Sequence, residues 1–79
     1  MIKLKIISGK ESWKSEAETV LEAIHLLELP FYIKGKILIK VSDGKKATKR
    51  MMSHFQMGRL KNNKAYQKIF AKNISLFMK

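Results

Sequence analysis

Lysine and arginine are the residues in this chain whose number and spacing could do chemistry, and that chemistry is the binding of anions. In the segment 42–55, SDGKKATKRMMSHF, a Ser-Asp-Gly turn is followed at once by Lys45, Lys46, Lys49 and Arg50. If a helix starts here, those cations crowd an end that its own dipole already makes positive. A phosphate would relieve the crowding, because glycine turns and helix N-termini offer free N–H groups to anions. Asp43 fits this least well, since as an N-cap it would take some of those donors itself. Further on, Lys64, Lys68 and Lys72 recur every four residues. On a helix they form one stripe with charges about 6 Å apart, near the spacing of phosphates along a strand. Like charges so placed repel, and a phosphate backbone would turn that repulsion into attraction through counterion release. Arg59 and Lys61 lie between the two groups and complete the candidate phosphate-contacting set. A lysine-rich face that is merely solvated has the same spacing and stands as the alternative.

Other chemistries find little support. GxxxxGK[ST] is absent, so no nucleotide-hydrolase phosphate loop is expected. The chain has no cysteine, which removes thiolate nucleophiles, thiolate metal sites and disulfides together. His25 and His54 are isolated, without a second ligand at metal spacing, and His25 between Glu22 and Glu28 suits a solvated ion pair. The five glutamates all precede Pro30, and no Ser/His/Asp or paired-carboxylate arrangement is legible. The expectation is a protein that is not an enzyme and needs no cofactor or metal.

Charge divides the chain in two. The net charge is +11 over 79 residues. Residues 1–30 hold four lysines against five glutamates, whereas residues 31–79 hold thirteen Lys or Arg against Asp43 alone. Such a half repels itself when compact and attracts polyanions. Only two of the seventeen basic residues are arginine; lysine suits phosphate as a point charge, whereas arginine's fork is the usual reader of guanine edges. A+T-rich coding would also raise lysine over arginine, although it does not by itself strip acids from residues 31–79. The N-terminus, MIKLKIISGKE, has neither a signal-peptide nor a membrane-span pattern, and a cytoplasmic, single-domain protein without membrane contact is expected.

The elements that must position these charges read as follows. IKLKII (2–7) alternates like a half-buried strand, and SGKES is a turn. Residues 14–29 read as an amphipathic helix with Ala17, Val20, Leu21, Ile24 and Leu27 on one face, capped at Ser15 with Glu18 (or at Ser12) and ended by Pro30. Trp13 would staple its start to the core. Residues 31–41 are strand-like, with Gly35 a bulge or hairpin tip. Asp43-Gly44 could turn a hairpin, but KKATKRMM has poor strand character, and a second helix is expected over 46–57 with Ala47, Met51 and Phe55 inward and Met52 beside them. A third helix over 64–77 would bury Ala65, Tyr66, Ile69, Phe70, Leu76 and Phe77. The predicted fold class is α+β in the order β-α-β-α-α: a small two- or three-stranded sheet, one right-handed crossover helix and two C-terminal helices.

The function expected from these residues is non-enzymatic nucleic-acid binding, DNA or RNA, through phosphates and with little sequence reading. A helix-turn-helix reading of the last two helices is weak, because their linker is long and polar. Phe31 and Tyr32 are the best-placed aromatics for stacking bases. The alternative is a small protein-binding module or inhibitor, of the phage or mobile-element type, that recognises an acidic protein surface; a ribosome-associated protein would share this composition. Leu26 and Leu29, opposite the buried stripe in an acidic frame, are a candidate protein interface, and the acidic helix could meet the basic half of a second copy in a homodimer.

Overall fold

The computed structural model describes residues 1–29, 33 and 35–77. Its elements are β1 (Ile2–Ser8), β2 (Glu11–Ala17), α1 (Val20–Leu26), β3 (Ile37–Ser42), β4 (Ala47–Met52), α2 (His54–Asn62) and α3 (Lys64–Phe77). The strands form one antiparallel sheet in the order β2-β1-β3-β4, and the helices pack their apolar residues against one of its faces. The class is α+β, but the sheet has four strands and the order is ββαββαα rather than β-α-β-α-α. Two segments expected to be helical are strands.

The first is 11–17, which pairs with β1 from Ser8↔Glu11 to Ile2↔Ala17. Gly9-Lys10 joins the two strands, and Gly9 has φ 61°; a positive φ at the first central position is what a two-residue type II′ hairpin turn requires. Trp13, Ser15 and Ala17 then point toward the helices while Ser12, Lys14 and Glu16 point away, the period-2 pattern of a strand. Ser15 is therefore no helix cap. Its hydroxyl donates to the Ala23 carbonyl at 2.6 Å and clips α1 to β2. The cap is Thr19, whose Oγ1 accepts from the Glu22 N–H at 3.2 Å. The helix is thus shorter than expected, ending at Leu26, and it buries Val20, Ala23 and Ile24. Pro30, Phe31 and Tyr32 lie outside the described residues, and with them the proposals of a proline stop and an exposed aromatic pair. Among the described residues no parallel pair forms: β1 and β3 are antiparallel neighbours, Lys3↔Ser42 to Ser8↔Ile37. The crossover through α1 runs instead from β2 to β3, with β1 between them.

The second is 47–52, which pairs with β3 from Ser42↔Ala47 to Ile37↔Met52. The Asp43 carboxylate closes this hairpin, accepting from the N–H groups of Lys45 (2.8 Å) and Lys46 (2.7 Å). Its own N–H donates to the Lys46 carbonyl at 3.1 Å, and Gly44 takes φ 92°. Those two backbone donors, Lys46 first, hold the Asp43 carboxyl below the ordinary value of 3.8. Asp43 is explained by the turn, not by an anion site. Helix α2 starts only at a Ser53–Gln56 capping box, with both reciprocal bonds formed. The stripe of Ala47, Met51 and Phe55 consequently does not face inward: Met51 is 59% and Phe55 69% exposed, whereas Met52, Met57 and Leu60 are buried.

Leu4 and Ile6 of β1, Ile37, Ile39 and Val41 of β3, Leu60 of α2 and Ile74 of α3 form the fully enclosed centre, each contributing about 1.5–3 kcal/mol by burial. On α3 the inward residues are Phe70 and Ile74, with Tyr66 stacked on Phe70 at 6.4 Å between centroids; Ile69 and Leu76, expected inside, are exposed. Gln67 is buried and joins all three helices. Its amide donates to the Leu60 carbonyl at 2.8 Å and the Lys61 carbonyl at 3.3 Å, two of the last-turn groups a helix cannot satisfy itself. Its carbonyl oxygen then faces His25 Nε2 at 3.1 Å, so that nitrogen carries the proton. His25 is bonded across to α3 rather than ion-paired on its own helix.

Candidate nucleic-acid interface

The helices leave the other face of the sheet open. Register decides what that face displays, because directly opposed residues share a face and alternate residues along a strand return to it. Lys5 of β1 lies opposite Lys14 of β2 and opposite Lys40 of β3, and Lys40 lies opposite Lys49 of β4. Lys14, Lys5, Lys40 and Lys49 thus form one row across all four strands. With strands about 4.8 Å apart, the row is roughly 14 Å long. Lys3 sits on the same face one register row away, beside Glu16, Ser42 and Ala47. Five lysines therefore share this face with one acid, Glu16, among the described residues. A shallow hollow of about 430 Å³ opens among Lys3, Lys5, Lys40 and Lys49.

Like charges placed directly opposite across a ladder are destabilising. A row of four has three such pairs, so the fold holds these lysines together against their own repulsion. Among the described residues nothing in the packing demands it, since Lys14, Lys40 and Lys49 are exposed. An anion with charges repeated along its length would neutralise the row.

The candidate residues named from the sequence are distributed differently than helical wheels implied. Lys49 belongs to the row, but Arg50 does not share its face: on a strand they point to opposite sides, and Arg50 lies opposite Ile39 on the helix side. Lys45 and Lys46 are exposed in the β3–β4 turn. Lys64, Lys68 and Lys72 are all exposed on α3, a separate stripe in the helical layer. On α2, Lys61 is exposed, and Arg59 stacks its guanidinium over the Phe55 ring at 4.3 Å to the centroid. The Phe55–Arg59 pair borders an open groove with Asn62 and Lys64. His54 is held by the Gly35 carbonyl at 2.7 Å. Leu26 and Leu29 do not form an exposed pair, for Leu26 is 60% exposed while Leu29 packs against the core.

Sequence reasoning missed Lys3, Lys5, Lys14 and Lys40. Part of the signal was present. A two-residue turn at Gly9-Lys10 puts Lys5 opposite Lys14, and a hairpin around Asp43–Lys46 puts Lys40 opposite Lys49. Joining these two halves needs the β1–β3 register, which is a tertiary fact. Among the described residues, no helix is long and apolar enough to cross a membrane. No family model, curated protein or solved structure matches the chain.

Proposed function

We propose that this chain is a non-enzymatic nucleic-acid-binding protein that holds phosphates on the open face of its sheet, chiefly through Lys5, Lys14, Lys40 and Lys49. The observation that carries the reading is the unbroken cross-strand row of these four lysines. Its length of roughly 14 Å exceeds what one small anion spans and suits several consecutive phosphates. Lysine offers point charges without the planar fork used to read base edges, so binding is set by backbone charge and sequence matters little. The α3 stripe of Lys64, Lys68 and Lys72 lies apart from the row and adds to the long-range field that draws polyanions in.

The test is a titration of labelled single-stranded DNA, duplex DNA and structured RNA at two salt concentrations, followed by fluorescence anisotropy. Binding that weakens steeply with salt is expected, and Lys5→Gln/Lys40→Gln/Lys49→Gln should lose most of it while staying folded. Absence of binding to any of the three at low salt would sink the reading. Unchanged affinity in the triple variant would remove the row from it.

A further inference from the structure

Beside the lysine row runs a second row of opposite chemistry. Two residues further along each strand on the same open face, Ile7 of β1 lies opposite Leu38 of β3, and Leu38 lies opposite Met51 of β4. Ser12 of β2 completes this row opposite Ile7. Ile7 and Leu38 are half-buried and Met51 is 59% exposed. The open face therefore carries a cationic line and an apolar line that run parallel to each other and perpendicular to the strands. They are offset by about 6.7 Å, two residues of strand rise. That offset is comparable to the distance from a phosphate, across its sugar, to the base.

Given that the open face binds nucleic acid, we infer that its ligand is a single strand lying across the β-strands, with phosphates on the Lys14–Lys5–Lys40–Lys49 row and unpaired bases over Ile7, Leu38 and Met51. A duplex keeps its bases stacked inside and offers only phosphates and groove edges, so it would use the lysines and leave the apolar row in water. Single-strand binders combine a charged track with surfaces on which bases lie flat. Here no aromatic residue among the described ones occupies the open face, because Trp13 points to the helix side opposite Ile6. The bases therefore rest on aliphatic and thioether surface. That gives contact without choosing among bases, but favours unpaired ones over paired ones. The Glu16–Lys3–Ser42–Ala47 row on the other side of the lysines holds charged and small side chains and no large apolar one, so the bases lie toward Leu38, not toward Ser42.

The test compares affinities of the intact chain for oligothymidylate, oligouridylate and a duplex of the same length. Wild type should bind both single strands more tightly than the duplex. The pair Leu38→Thr/Met51→Thr keeps strand-forming side chains and the lysines. It should lose about five- to tenfold in single-strand affinity, at the low end of the range for aromatic stacking of one base, while duplex affinity stays unchanged. Met51→Thr alone, at the exposed edge strand, should show part of the same loss and guards against a misfolded double variant. A duplex bound as tightly as the single strands, or a loss that falls equally on both, overturns this inference and leaves phosphate binding by the lysine row standing. Loss of all binding in the lysine triple variant with no binding difference between strand types does the same. Wild type that binds none of the three probes removes both.

Discussion

Replacing Lys40, one of the two central lysines of the row, should make the protein more stable and less able to bind. Lys40 lies opposite Lys5 on one side and Lys49 on the other, so Lys40→Glu converts two repulsive pairs into attractive ones. Lysine and glutamate have similarly low strand propensity, and Lys40 is exposed, so the exchange isolates charge from packing. At separations of about 5–8 Å in water, each pair is worth roughly 0.5–0.8 kcal/mol before screening. Salt at about 0.1 M removes around half of that. Reversing two pairs then gives a net gain of about 1 kcal/mol, consistent with about 0.2–1 kcal/mol per cross-strand charge pair. For a domain of this size, that raises Tm by about 4–8 °C. The assay is thermal unfolding followed by circular dichroism at low and high salt, paired with nucleic-acid titration of the same variant. The gain should shrink at high salt, and affinity should fall. A lower Tm, or a gain indifferent to salt, refutes the claim that the row is held together against repulsion.

Two further substitutions probe the parts that hold the sheet in place. Gln67→Leu removes the donor from the Leu60 carbonyl at the end of α2 and the partner of His25 on α1, and should cost about 1–3 kcal/mol in urea unfolding; an unchanged midpoint would show that water serves those carbonyls equally well. Asp43 supplies the pH dependence. Because its folded carboxyl lies below 3.8, its stabilisation is fully present above that value and is lost as pH falls through the depressed one. Asp43→Asn should lack this acid-side loss when melting curves of the two proteins are compared from neutral pH downward; parallel curves would contradict the turn's role.

How much of this was legible depended on whether local pattern and tertiary pairing agree. The alternation of Ile2, Leu4 and Ile6 marks β1 without help, and the C-terminal helix and the α+β class follow from spacing. Segment 11–17 is deceptive because an edge strand needs only one large inward residue, Trp13; Ser15 and Ala17 beside it fit a helix as easily. Thr19 with Glu22 and Ser53 with Gln56 both carry the capping signature, and weighing them would have moved two helix starts to where the structure has them. Segment 47–52 fails as a strand on propensity alone, yet Ile39 and Val41 offer it a ladder that isolated propensity ignores. As a helix that one segment would put Lys49 and Arg50 together, whereas as a strand it sends them to opposite faces. The candidate site was therefore visible as a cationic composition, but not as a surface: the surface exists only once four strands are in register.

The most direct measurement is the salt dependence of nucleic-acid affinity for three proteins: wild type, the row variant Lys5→Gln/Lys40→Gln/Lys49→Gln, and the helix variant Lys64→Gln/Lys68→Gln/Lys72→Gln. Each removes the same charge from the same total, so net charge alone predicts identical effects for the two variants. If four phosphates sit on the row, the slope of log K against log salt for a single strand is about −3, and the row variant flattens it by about 2. That flattening is expected, with the helix variant weakening binding only modestly and keeping most of the slope. Equal losses in both variants, or a larger loss in the helix variant, would contradict the claim that the open face of the sheet is where this protein holds its ligand.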